Sequence, residues 1–394
     1  MLQNLHARPT DKILALMAAY REDPRDTKVD LGVGVYKDAT GNTPVMRAVK
    51  EAEKRLQAQQ TSKAYVGLAG DPAFADAMIN LVLDDTIARD RIAAVATPGG
   101  TGAIRQGFEL IKMAAPEATV WLSNPTWPIH PSILSYLGMK SAEYRYFDRE
   151  TRGVDFAGLM ADLDHVTAGD IVLLHGCCHN PTGANLTSDQ MAAVIALMNT
   201  RGAIPFVDIA YQGFGDGLDA DAQITRMIAQ GFDNVLIAAS CSKNFGIYRE
   251  RTGILMAVAR HESEAKLTQQ NLNYLNRQNY SFPPDHGARV VTTILNDPDL
   301  RADWEAELED TRNGMLSLRK QLADELRRLT NSDRFDFLAH HRGMFSQLGT
   351  TPEMVEKLRA DHGIYMISDS RMNIAGLNAK TVPILAKAIV AAGI

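Results

Sequence analysis

The chain has 394 residues, enough for two or three domains of ordinary size. Lysine and arginine number 41 against 47 aspartates and glutamates, a net charge of −6, which excludes a protein relying on a basic face to grip nucleic-acid phosphates. With 45% apolar and 22% charged residues the composition is globular and excludes bulk disorder.

The segment from Met1 to Lys12 has no apolar stretch of the signal-peptide kind. A helix is predicted over residues 11–20. From residue 92 the pattern alternates. Short β-like runs fall at 92–96, 120–123, 144–147, 171–175, 205–209, 235–239 and 253–258. Several are apolar throughout, as in strands covered on both faces. Helical periods at 102–113, 188–199 and 223–230 lie between them, so a mainly parallel α/β sheet is expected. Residues 299–329 place Trp304, Leu308, Met315, Leu318, Leu322, Leu326 and Leu329 at helical spacing, a long amphipathic helix able to join two lobes. Short strands at 344–348, 364–367 and 372–375 and two helices complete a smaller lobe, expected to include the N-terminal helix. No run reaches the roughly 18 apolar residues of a membrane helix. The three cysteines, Cys177, Cys178 and Cys241, are too few and odd in number for a disulfide framework, and a cytoplasmic location is expected.

Ligands of open α/β sheets sit at the carboxyl ends of the strands, which directs attention to the polar residues there. Lys243 follows the apolar run 235–239 almost directly. Desolvation and a neighbouring cation such as Arg251 would make its amine a usable nucleophile; a surface lysine is the plain alternative. Asp208 stands inside the run Phe206-Val207-Asp208-Ile209, where a carboxylate is costly without a partner. Such a partner is a protonated pyridine nitrogen; the alternative is a strand-end loop cap. Tyr211, three residues on, offers a phenol. Gly99-Gly100-Thr101-Gly102, between a strand and a helix, offers close backbone approach and free N–H groups to a phosphate, or makes only a tight turn. It is neither the dinucleotide fingerprint nor the ATP phosphate loop. His175-Gly176-Cys177-Cys178-His179-Asn180-Pro181 gathers metal-ligand types, but adjacent side chains diverge and no second cluster exists, so no metal is expected. Asn180 reads instead as an amide presented by a rigid turn. Trp127 would stack on a planar ring or serve the core. Arg371 and Arg277 are candidate carboxylate forks or simple surface ion pairs.

Taken together and in this order, the motifs resemble the class I pyridoxal-phosphate (PLP) aminotransferases, in the subgroup of aspartate and aromatic-amino-acid enzymes. The resemblance runs nearly end to end. It is carried by DLGVGVYKD at 30–38, YVGL at 65–68, GGTG at 99–102, NPTWP at 124–128 and HNPTG at 179–183. DIAYQGF at 208–214, SCSKNFGIYRERTG at 240–253, NRQNYSFPP at 276–284 and SRMNIAG at 370–376 continue it. It implies PLP-dependent fold type I: a large domain with a mostly parallel seven-stranded sheet plus a smaller α/β domain. The corresponding division is 1–40 with the small domain, 41–310 as the large PLP-binding domain and 311–394 as the small C-terminal domain. It further implies a homodimer with shared active sites. Lys243 would carry the cofactor and shuttle the proton. Asp208 would pair with the ring nitrogen, Tyr211 and Asn180 with the ring oxygen, and Trp127 with the ring face. Gly99, Gly100, Thr101, Ser240, Ser242 and Arg251 would hold the phosphate, with Tyr65 arriving from the partner subunit. Arg371 would bind the substrate α-carboxylate, helped by Asn180 and Gly34, and Arg277 of the partner subunit would face the substrate side chain. The bonds before Pro125 and Pro181 correspond to cis bonds of the family.

The specificity signals are mixed. Arg277 suits a second carboxylate, and Lys37 and Thr43 keep the aspartate-type identity. Phe282 and Ala64 stand where aspartate enzymes carry asparagines, and they make the pocket region less polar. The expected reaction is amino-group transfer between tyrosine, phenylalanine or aspartate and 2-oxoglutarate, with ping-pong kinetics. The alternatives are an aspartate aminotransferase with little aromatic activity, a lyase or decarboxylase on the same fold, and a non-enzymatic regulator. Intact Lys243, Asp208, Tyr211 and Arg371 speak against the last.

Overall fold

The computed structural model describes residues 1–7 and 12–394. Its strands are β1 (Val29–Asp30), β2 (Ile92–Pro98), β3 (Val120–Asn124), β4 (Ser141–Arg145), β5 (Ile171–His175), β6 (Ile204–Ile209), β7 (Val235–Ser240), β8 (Thr252–Val258), β9 (Phe345–Gln347), β10 (Ile364–Tyr365) and β11 (Arg371–Asn373). Seven of them form one sheet in the order β2-β8-β7-β6-β5-β3-β4. β8 pairs antiparallel with β2 and β7; β7 through β4 are parallel neighbours.

The inner strands lack polar alternation because both faces are covered. Phe206 and Leu173 point into a core with Phe108 and Ile104 of helix Gly99–Ala114, whereas Val207, Val172 and Leu174 point into the core on the other face. Phe108 meets Phe206 edge-on at 5.5 Å, a contact worth about 0.5–1.5 kcal/mol beyond its buried area. The edge strand departs from expectation. Residues 144–147 read as a strand, but β4 ends at Arg145, and only its Tyr144 is buried. Tyr146 instead stacks on His179 at 3.8 Å, and Phe147 bridges to Val154. Their apolar character serves the core beyond the sheet edge.

A second core collects Val29 and Leu31 with Leu322, Leu326, Leu338, Leu358, Ile364, Leu385 and Ile389. β1 pairs parallel with β10, and β9 antiparallel with β11. The expected strand at 372–375 stops at Asn373, whose side chain accepts from Ala375 N and turns the chain into a short 3-10 helix. The N-terminal helix runs Lys12–Glu22; residue 11 of its predicted span lies outside the described residues. Helix Pro298–Thr330 connects the two cores. Asp297 caps it by accepting from Asp299 N and Leu300 N, and Asn331 ends it at φ 49°. Its Trp304, Leu308 and Met315 belong to the large-sheet core, and its Leu322, Ala323 and Leu326 to the second. Among the described residues no helix is long and apolar enough to cross a membrane.

Candidate active site

The carboxyl ends of the parallel strands open on a cavity of about 250 Å³. β5 and β6 pair in a register that sets His175 beside Asp208. Asp208 is buried, and its Oδ2 lies 3.0 Å from His130 Nε2. His130 Nδ1 meets Thr126 Oγ1 at 2.8 Å, and that hydroxyl meets His175 Nε2 at 3.1 Å. Burial alone would raise the Asp208 carboxyl, but the His130 hydrogen bond, with the Lys243 charge nearby, holds it below its usual range. It is therefore a carboxylate at neutral pH. His175 is pushed down to about 3 by burial and by His130, so it is neutral there.

Lys243 sits in the turn after β7, its ammonium 5.1 Å above the Tyr211 ring. Burial, with the Arg251 charge, lowers its pKa to about 8 against the pull of Asp208. The share of free amine near neutrality is thus a minor one, but far above that of an ordinary lysine. The antiparallel β8 explains an anion cradle beside it. Pro98 pairs with Thr252 and Ser240 with Gly253, so the ends of β2 and β7 meet the start of β8. Arg251, at φ 52°, consequently projects over Gly99, where an added Cβ would meet Arg251 Nη2 at 2.6 Å. Gly99 opens a 16-residue helix whose N-terminus has no side-chain cap. Gly100, Thr101, Ser240, Ser242 and Arg251 face the cavity there, a set of N–H, hydroxyl and guanidinium donors suited to a phosphate dianion.

Across the cavity lies Arg371, at the start of β11 and 5% exposed. Its Nη2 donates to Gly32 O at 2.9 Å, its guanidinium lies 4.4 Å over the Phe345 ring, and its Nε has no partner. No ion pair joins Arg371 to a carboxylate among the described residues. Asn180 is buried with an unpartnered Oδ1, and its Nδ2 stands 3.4 Å from Tyr211 Oη. Burial raises the Tyr211 phenol, which stays protonated. Trp127 and Gly34 also line the cavity; the bonds before Pro125 and Pro181 are cis. Buried orphaned donors and acceptors around a lysine, a carboxylate and an anion cradle call for a ligand carrying matching groups. The phosphate, ring nitrogen, ring oxygen and aldehyde of PLP, joined by an amino acid's carboxylate, match that set.

Two predicted residues lie elsewhere. Tyr65 is 84% exposed and stacks on Phe282 at 4.8 Å, and Arg277 reaches toward the same ring at 5.6 Å. Neither lines this chain's own cavity. Sequence reasoning passed over His130, Thr126 and Phe345. A histidine one residue into the helix after a strand-end NPTWP is the signal that was present for His130. Cys177 and Cys178 gather near Asp221, but both carboxylate oxygens already accept from Gly213, Gly215 and Asp216 amides, so Asp221 organises its loop.

The model of the family described as aminotransferase class I and II matches residues 26–389. The chain is 59% identical over 394 residues to the aromatic-amino-acid aminotransferase of Paracoccus denitrificans, covering all of both chains. It superposes at a TM-score of 0.99 on a solved aromatic amino acid aminotransferase with 3-indolebutyric acid, 59% identical and with both chains fully covered. A second solved structure, an aromatic-amino-acid aminotransferase from Burkholderia pseudomallei covalently bound to pyridoxal phosphate, superposes at 0.97. It is 38% identical, with 100% of this chain and 99% of that one covered. With a lysine, a carboxylate and an anion cradle around one cavity and the family matched over most of its length, the chain belongs to the class I and II aminotransferases.

Proposed function

We propose that this protein moves the amino group between an aromatic amino acid (tyrosine or phenylalanine) or aspartate and 2-oxoglutarate, with PLP as cofactor. The observation carrying this reading is Arg371: a buried guanidinium without a carboxylate partner among the described residues, lining the same cavity as Lys243 and Asp208. PLP, when bound, supplies a carbonyl for the amino group to join and a protonated ring that draws electron density from the substrate's Cα. Asp208, kept anionic by His130, holds the positive charge on the ring nitrogen. Asn180 and Tyr211 hold the ring oxygen, and Trp127 covers the ring face. Gly99, Gly100, Thr101, Ser240, Ser242 and Arg251 hold the phosphate. Lys243 Nζ would hold the cofactor by its aldehyde carbon; displaced from it by the substrate's amino group, it would be the free amine placed to take the proton from Cα and return it as an ammonium. Arg371 grips the α-carboxylate, with Asn180 and Gly34 beside it, which fixes the Cα–H toward Lys243. The two substrates use one site in turn, giving ping-pong kinetics.

The proposal includes a cytoplasmic homodimer. In it Tyr65 and Arg277 of the partner subunit complete the site, which fits their exposure and their distance from this chain's own cavity. Mixing Lys243→Ala and Arg277→Ala protomers tests this: hybrids restore about a quarter of the wild-type sites, and no restoration refutes sharing. Residues 1–40 and 311–394 form the small domain and 41–310 the large one. Aromatic preference draws support from Phe282 and Ala64, which lie beside Tyr65 outside this chain's own cavity and with it would face the partner subunit's site, and from the 59% identical aromatic-amino-acid relative. The second reading, an aspartate aminotransferase, draws on Arg277, Lys37 and Thr43. Comparing kcat/KM for tyrosine and aspartate separates them: a tyrosine value near background leaves only the second.

A further inference from the structure

We infer that Arg319 is a positioning residue for the substrate carboxylate, acting through Phe345. The inference rests on the reading of Arg371 as the carboxylate anchor and names the device that sets it. Arg319 lies on helix Pro298–Thr330 between Met315 of the large-sheet core and Leu322 of the second core, and it is 0% exposed. No carboxylate pairs with it among the described residues. Its Nη1 donates to Ser346 Oγ at 2.6 Å and Leu338 O at 3.2 Å, and its Nη2 to Phe345 O at 2.7 Å and Gly343 O at 2.8 Å. One planar fork therefore holds residues 338–346 at three backbone carbonyls and one side-chain hydroxyl. A cation buried among neutral acceptors is an expensive way to tie a loop, and a neutral core would stabilise the fold at least as well. What the tie delivers is the placement of Phe345.

Phe345 is the common wall of the site. Its ring lies 4.4 Å beneath the Arg371 guanidinium, meets Tyr211 edge-on at 6.1 Å, and would touch a Cβ on Gly34 at 3.2 Å. Ser346 also meets His341 Nδ1 at 3.1 Å, and His341 Nε2 meets Arg152 O at 2.8 Å, so the serine is held from both sides. A shift of residues 343–346 moves the ring and, with it, the stacked guanidinium. The anion cradle belongs to other elements, the ends of β2 and β7 and the start of β8, and does not move with it.

The test uses the PLP-loaded enzyme. Dissociation constants for 3-phenylpropionate and for succinate, carboxylates without an amino group, are measured by calorimetry for wild type, Arg319→Lys and Ser346→Ala. Arg319→Lys keeps the charge but cannot reach four acceptors, and weakens both ligands roughly tenfold, as expected for a displaced anchor. Ser346→Ala weakens them by a smaller factor, about threefold on the same principle. PLP retention through dialysis is unchanged in both. A Phe345→Leu variant is weakened to a similar degree, and adding Arg319→Lys or Ser346→Ala to it produces little further loss. If Arg319→Lys does not fold, Ser346→Ala alone and on the Phe345→Leu background decides. Carboxylate affinities within twofold of wild type in the folded variants overturn the inference, as does a loss of PLP in parallel with carboxylate affinity. A wild-type enzyme that binds neither carboxylate overturns the proposed function and the inference with it.

Discussion

Lys243 owes its chemistry to its surroundings. An ordinary lysine is almost wholly ammonium at neutral pH, whereas burial and Arg251 bring this one to about 8. The free amine is the reactive form. The rate at which the cofactor-free protein joins PLP, read from absorbance, therefore rises with pH and levels off above about 8 rather than above 10. A lysine-like profile climbing to pH 10 contradicts the desolvated site. On the proposed function, Lys243→Ala keeps the anion cradle and removes the group proposed to move the proton. PLP is retained noncovalently while tyrosine or aspartate transamination falls by about 10²–10⁴-fold, measured under steady-state conditions. Turnover within tenfold of wild type removes Lys243 from its role. Asp208 shows the same dependence on neighbours: His130 keeps it anionic in a site whose burial favours the acid.

Single elements carry these residues to their places. Helix Gly99–Ala114 presents its free N-terminus to the anion cradle only if it lies close against the sheet, and Gly107 permits this. A Cβ at that position would run into the Phe206 ring. Gly107→Ala therefore overpacks the helix–sheet contact and lowers stability by about 1–3 kcal/mol in denaturant unfolding, despite the better helix propensity of alanine. A neutral or stabilising result shows that Phe206 can rotate away without cost. The predicted start of this helix at 102 missed its first turn, because Gly99-Gly100 reads as a turn in sequence. The local reading and the tertiary one differ here because glycine accepts both conformations.

For the whole molecule, buried neutral histidines set an acid limit. His175 and His341 are pushed down to about 3 by burial, with His130 and Arg319 charges respectively adding to the effect. The unfolded chain binds these protons near pH 6.5 and the folded one does not. Stability is thus full above pH 6.5 and falls as pH drops toward 3, with a slope of about 1.4 kcal/mol per pH unit for each histidine. Unfolding midpoints of the cofactor-free protein at pH 7, 6, 5 and 4 measure this. A flat profile from pH 7 to 4 rules out the buried neutral state. The two cores meet along helix Pro298–Thr330, and Arg319 sits between them, so the joint of the molecule and the wall of the site are one structure.

The sequence by itself determined the alternating architecture and pointed to the strand-end residues Lys243, Asp208 and Asn180 as candidates, each beside a plainer reading. Apolar runs covered on both faces announce themselves, whereas a polar residue at their carboxyl ends reads as a site group, a surface group or a loop cap until its burial is known. Only the tertiary structure decided that His130, 78 positions from Asp208, is its partner, because that contact depends on sheet register and helix placement. The same holds for Arg319. On a helix whose pattern is amphipathic, one arginine reads like its solvated neighbours. Burial between two cores gives it a different task, and no local period encodes burial of that kind.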